Sequence, residues 1–202
     1  MSAYFTEHLA SNRYLDSNFK TEAVKILPGE YFATNDSTMI VTVLGSCVSV
    51  CLRDPITRVA GMNHFLLPAN KDEVNFNSDS ARYGVYAMEV LINHLMKLGA
   101  SRHRLQAKIF GGGNVLKQLK MNGVGEQNSA FVQEYLAAEK ITVVAQDLLG
   151  EFPRKVYFFP MTGEVKVRKL KSIHNTTILD RESEYRVKVG QTSTAGDVDL
   201  FD

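Results

Sequence analysis

Two thiols and one histidine set the chemical possibilities of this chain. Both cysteines lie in a single stretch, VTVLGSCVSVCLRDP, as Cys47 and Cys51. In one extended strand they share a face about 13 Å apart, at roughly 3.3 Å per residue. A disulfide needs Cα atoms within about 7 Å, so the two do not bridge in that conformation. Their spacing also departs from Cys-x-x-Cys, and five scattered histidines offer no close ligand pair to complete a zinc site. The choice for each thiol is then core residue or nucleophile. Cys51, inside VSVCL, reads as core, in keeping with the burial of free cysteine. Cys47 follows Gly45 and Ser46, whose small size admits a substrate closely and can turn backbone N–H groups toward an oxyanion.

A nucleophilic thiol needs a base. His64, in GMNHFLLP, stands at the end of the strand expected after the cysteine segment. The short link between them lets these elements pair and bring the imidazole toward the thiol. The other histidines fall elsewhere: His8 in the N-terminal arm, His94 on a polar helix face, His103 in a basic loop and His174 in the tail. Thr42 and Asn63 are the neighbouring groups that could orient the imidazole. Thr42 lies five residues before Cys47, an odd offset that faces the other side of an ideal strand. It joins the site only if Gly45-Ser46 breaks the alternation. Asn63 is adjacent to His64 and alternates away from it.

The elements that must hold these groups read as follows. From Ala23 the pattern is β-like, with Pro28-Gly29 and Asn35-Asp36-Ser37 as turns. Ile40 to Leu52 is a nearly continuous, valine-rich apolar run, the mark of a strand buried on both faces. A further strand is expected over 58–65. Over 83–98, Val85, Met88, Leu91, Ile92 and Leu95 share one helical face, and Gly99 is placed to end the helix. A strand over 105–110 runs into Gly111-Gly112-Gly113-Asn114. That run lacks both the Walker ending and the dinucleotide spacing, so it reads as a turn permitting close backbone approach. Gly123 to Asn128 reads as a second glycine turn before a helix over 129–139. A strand over 141–145 and a hairpin, 155–159 with 164–168, complete the pattern. Strands and helices in mixed order with a hairpin predict an α/β sandwich with mixed sheets.

The bulk composition narrows the classes. A chain of 202 residues suits one domain with a sizeable core. We divide it into an arm over 1–22, a folded unit over 23–170 and a tail over 171–202. A net charge of +1 gives no reason to expect nucleic acid as a partner. No apolar run reaches membrane-spanning length, and the N-terminus has no signal-peptide core. The expected compartment is the cytoplasm, where thiols stay reduced.

The stretches LPGEYFAT, VTVLGSCVSVCLRDP, GMNHFLLP, AKIFGGGNVL, VGEQN and RKVYFFPMTGEVKVRKL, in that order over about residues 23–170, resemble the CheD family of chemoreceptor glutamine deamidases. The resemblance implies hydrolysis of glutamine side-chain amides on receptor cytoplasmic helices. It places the catalytic cysteine on Cys47 and the histidine on His64. The family threonine falls on Thr42 once a one-residue gap is allowed. Gly45 and Ser46 would then line the substrate site. The implied fold is the layered α/β sandwich shared with deamidating toxins of the cytotoxic necrotizing factor type. The implied chemistry requires no metal or nucleotide cofactor. Members of the family can also bind a chemotaxis phosphatase, so the alternative is a non-enzymatic regulator of such a partner.

Overall fold

The computed structural model describes residues 8–67, 79–115, 123–170, 184, 185 and 187. Among the described residues ten strands and two α-helices follow one another as β1 (Asn12–Asp16), β2 (Thr21–Lys25), β3 (Tyr31–Thr34), β4 (Met39–Leu44), β5 (Val48–Arg53), β6 (Ala60–Asn63), α1 (Asp79–Lys97), β7 (Gln106–Gly111), α2 (Val124–Ala138), β8 (Thr142–Leu148), β9 (Arg154–Phe159) and β10 (Glu164–Lys169). They build two five-stranded sheets, ordered β1-β2-β4-β9-β10 and β3-β6-β5-β7-β8. Each sheet contains a single parallel pair, β2 with β4 and β7 with β8, among antiparallel ones. The architecture is therefore the layered α/β sandwich with mixed sheets.

The layers follow from side-chain alternation. On β6, Ala60 and Met62 face the other sheet and pack with Ile40, Leu44, Val156 and Phe158. The opposite face of the β3-β6-β5-β7-β8 sheet carries Val48, Val50, Leu52, Ala107 and Ile109, which pack under both helices. From α1, Met88, Leu91, Ile92 and Leu95 lose all solvent exposure there. Each such side chain contributes about 1.5–3 kcal/mol relative to an exposed one. Gly99 ends α1 as expected: its φ is +103°, and Ala100 N–H donates back to the Leu95 carbonyl at 3.0 Å.

Three expectations change. The apolar run over 40–52 is two strands, not one. The chain bends at Gly45-Ser46, and β4 and β5 belong to different sheets. Apolar periodicity could not show this because both strands are buried. The start of the chain is more than an arm, since Asn12–Asp16 pairs antiparallel with Thr21–Lys25. Finally, the glycine-containing stretch from Val124 to Asn128 opens α2. Tertiary packing overrides glycine's poor helix propensity there: a Cβ on Gly125 would stand 2.3 Å from the Gly112 carbonyl oxygen. The tail lies outside the described residues apart from 184, 185 and 187. Among the described residues no helix is long and apolar enough to cross a membrane.

The turn after β5 is fastened by the buried carboxylate of Asp54. It accepts from the Arg104 guanidinium at 2.6 Å and from the N–H groups of Ser101 and Ile56 at 2.9 Å each, with Thr57 at 3.4 Å. The guanidinium chiefly, with those N–H groups, holds the Asp54 carboxyl well below the usual carboxylate range, against the opposing effect of burial. The resulting stability is complete above the ordinary carboxylate value of about 3.9. It is lost as pH falls through the lowered folded value. Asp54→Asn is expected to lower Tm by about 5 °C at neutral pH. Thermal melts across the acid range should show the gap from wild type closing as pH falls.

Candidate active site

The bend between β4 and β5 carries Cys47. The carbonyls of three consecutive residues are each held by a donor. Gly45 accepts from Gly113 N–H at 2.8 Å, Ser46 from the Asn128 carboxamide at 2.9 Å, and Cys47 from Gly112 N–H at 2.8 Å. The glycine run after β7 is thus the close-approach turn the sequence suggested. A Cβ on Gly111 would meet the Cys47 carbonyl oxygen at 2.2 Å, and one on Gly112 the Ser129 hydroxyl at 2.0 Å. Arg154, fully buried, braces this run by donating to the carbonyls of Gly111, Asp147 and Leu149.

His64 leaves the end of β6 beside the same bend. Val48 and Phe65 form an antiparallel bridge, each N–H donating to the other's carbonyl at 3.0 Å. Cys47 and His64, one residue before each member of that bridge, therefore project on the face opposite Val48 and Phe65. They are diagonal neighbours, a relation in which side chains interact across strands. The His64 backbone is tied down as well: its N–H donates to the Glu30 carbonyl at 2.9 Å, and its carbonyl accepts from Gly29 at 2.7 Å.

Thr42 approaches from the other sheet. Its Oγ1 lies 2.7 Å from His64 Nδ1 and 2.9 Å from the Ile26 carbonyl oxygen. The hydroxyl has one proton. Donated to the Ile26 carbonyl, it leaves Oγ1 to accept from Nδ1–H, which makes Nε2 the basic nitrogen of the ring. The parity objection to Thr42 applied to a single strand. With β4 and β5 in facing sheets, Thr42 and His64 both point into the space between them. Asn63 points the other way: its Oδ1 accepts from Val50 N–H at 3.0 Å, and its Nδ2 donates to the Ala87 carbonyl at 3.2 Å.

Cys47, Thr42 and His64 are buried, at 0%, 0% and 2% exposure. A cleft of roughly 300 Å³, its open mouth included, reaches His64 and is lined also by Glu30, His8, Tyr83 and Tyr86. His8, assigned to the arm from sequence, thus borders the site, as do two tyrosines of α1 that sequence reasoning missed. Cys51 is also buried on β5, and burial pushes its thiol well above the usual range, with Lys108 opposing only in part. Both cysteines are free thiols. His94 is occupied against Tyr31, its Nδ1 3.2 Å from the phenol oxygen, and His174 falls outside the described residues. Asn128, which touches both arms of the site, was also missed. Its only sequence signal was a polar residue on the apolar stripe of Phe131, Val132 and Tyr135.

Comparison with known proteins identifies the relatives of this chain. The family described as CheD, chemotactic sensory transduction, matches residues 66–169. A Shewanella oneidensis protein named probable chemoreceptor glutamine deamidase CheD 1 is 62% identical over 191 residues, 94% of this chain and 93% of that one. A Dechloromonas aromatica protein of the same name is 53% identical over 203 residues, the full length of both. A Methylobacillus flagellatus protein, probable chemoreceptor glutamine deamidase CheD, is 56% identical over 197 residues, covering 96% of this chain and 97% of that one. Among solved structures, the Bacillus licheniformis hypothetical protein YfiH aligns with a TM-score of 0.39 at 11% identity, over 59% of this chain and 51% of that one, too slight a likeness to bear on function. This chain belongs to the CheD family.

Proposed function

We propose that this chain is a protein-glutamine amidohydrolase that deamidates chemoreceptor glutamines through Cys47, with His64 as base and Thr42 as its orienting partner. The observation that carries the reading is the 2.7 Å contact between Thr42 Oγ1 and His64 Nδ1, which directs Nε2 toward catalysis. The names of the relatives supply the substrate class. Receptor cytoplasmic helices bear the target side chains, so the enzyme works in the cytoplasm.

The steps balance without a metal or nucleotide. His64 Nε2 takes the Cys47 proton, and the thiolate sulfur bonds to the glutamine Cδ. The carbonyl oxygen becomes an oxyanion, stabilised by N–H groups of the Gly45-Ser46-Cys47 bend. The imidazolium returns its proton to the amide nitrogen, the C–N bond breaks, and ammonia leaves a thioester. Water deprotonated by His64 attacks that carbonyl, and the C–S bond breaks to give glutamate and the free thiol. The carboxamide enters by the cleft that His64 borders. Gly45 and Ser46 stand at the Cys47 bend, where their lack of bulk leaves room for the carboxamide.

Thr42→Val keeps the side-chain shape and removes the oxygen that holds Nδ1–H. The expected loss in kcat is about 10²-fold, the low end of what a positioned general base contributes. Thr42→Ser should restore most of it, which a purely steric role for Thr42 would not predict. The reading itself is tested by peptide mass spectrometry of a receptor cytoplasmic fragment incubated with the protein, where selected glutamines should become glutamates. A non-enzymatic regulator of a chemotaxis phosphatase would leave the fragment unchanged. It would also show ordinary iodoacetamide reactivity at Cys47.

A further inference from the structure

We infer that Asn128 is a positioning residue for the oxyanion hole, aiming the Cys47 N–H at the reacting carbonyl; this rests on the Cys47–His64 reading above. Asn128 is 0% exposed on the inward face of α2. A carboxamide buried there costs stability unless it is fully hydrogen-bonded, and both of its ends are used. Nδ2 donates to the Ser46 carbonyl at 2.9 Å, and Oδ1 accepts from Leu67 N–H at 2.9 Å. One side chain thus ties the residue before Cys47 to the segment that follows His64.

The consequence lies in the peptide plane. The Ser46 carbonyl and the Cys47 N–H belong to one peptide unit, which is trans and planar, so they point in opposite directions. Holding the carbonyl toward α2 turns the Cys47 N–H away from α2. That is the side on which the Cys47 thiol lies, among the residues packed between the two sheets. Of the three carbonyls clamped at the bend, those of Gly45 and Cys47 are held by backbone donors. Only the Ser46 carbonyl is held by a side chain, so only this clamp can be removed by substitution. Asparagine suits the position because it offers a donor and an acceptor from one planar group.

The test uses the full chain, a receptor cytoplasmic fragment as substrate, and the variants Asn128→Asp and Asn128→Ala. Asn128→Asp in its ionised form keeps the acceptor for Leu67 N–H and loses the donor to Ser46. Two rates are compared in each variant, deamidation and iodoacetamide alkylation of Cys47. Alkylation displaces iodide and develops no oxyanion, so it reports only the thiolate made with His64. The expected result is a fall in kcat of about 10²-fold or more with KM unchanged, because the oxyanion exists only beyond the ground state. Alkylation should stay at the wild-type rate. Retained kcat overturns the proposal. So does alkylation that falls in step with kcat, or failure of both variants to fold, since either makes Asn128 general scaffold. Failure of the underlying Cys–His reading looks different: wild-type Cys47 would then show no His64-dependent alkylation.

Discussion

His64→Ala is expected to slow glutamine deamidation by about 10⁴-fold, the upper end for a general acid–base group. It should also reduce iodoacetamide labelling of Cys47 to the rate of an ordinary thiol. The size of the effect follows from the number of steps His64 serves. In the proposed mechanism it takes the thiol proton, protonates the departing nitrogen, and then activates water. Of the other described imidazoles, His94 is engaged with Tyr31, His8 stands in the wall of the cleft and His103 lies in the turn over 102–104 before β7. Burial of Cys47 and His64 strengthens the dependence, because little bulk water is at hand to serve as the base. Labelling and turnover that survive His64→Ala would mean that a different group deprotonates Cys47.

Cys47→Ala should remove deamidation altogether and leave the fold in place, while Cys51→Ala should keep turnover. The contrast separates two buried thiols a few residues apart. Cys51 sits on β5 among Met62, Phe110 and Phe158. Its raised thiol pKa leaves almost no thiolate near neutral pH, so it should resist labelling as well. Cys47 lies on a bend whose carbonyls are all clamped, and His64 Nδ1, on the neighbouring strand end, stands 2.7 Å from Thr42 Oγ1. Losing one sulfur there removes the nucleophile and little packing. Melting curves for both variants, set beside their deamidation rates, check the two halves of the contrast.

The sequence was most readable where local chemistry decides structure. Helix α1, its stop at Gly99 and the β9–β10 hairpin follow from periodicity and turn residues, and all three form. The glycine run was legible as a close backbone approach, although not what it approaches. What stayed hidden was set by distant partners. Nothing within VTVLGSCVSV says that its two halves enter different sheets, so Thr42 seemed to face the wrong way. Only the crossing at Gly45-Ser46 brings it to His64 from the opposite layer. The first turns of α2 read in the sequence as a glycine turn because Gly123 and Gly125 disfavour helix. The packing of Gly125 on Gly112 is a contact that no window on the sequence contains. Asn128 was missed for the same reason, since its two partners lie 82 and 61 residues away.

The Cys47 thiolate is the proposed nucleophile that attacks the glutamine carboxamide. The most direct test is peptide mass spectrometry of one chemoreceptor cytoplasmic fragment after incubation with wild type and, in parallel, with folded Cys47→Ala. Specific glutamines should become glutamate with the wild type and none should with the variant. Conversion of the same glutamines by Cys47→Ala would contradict that role for Cys47.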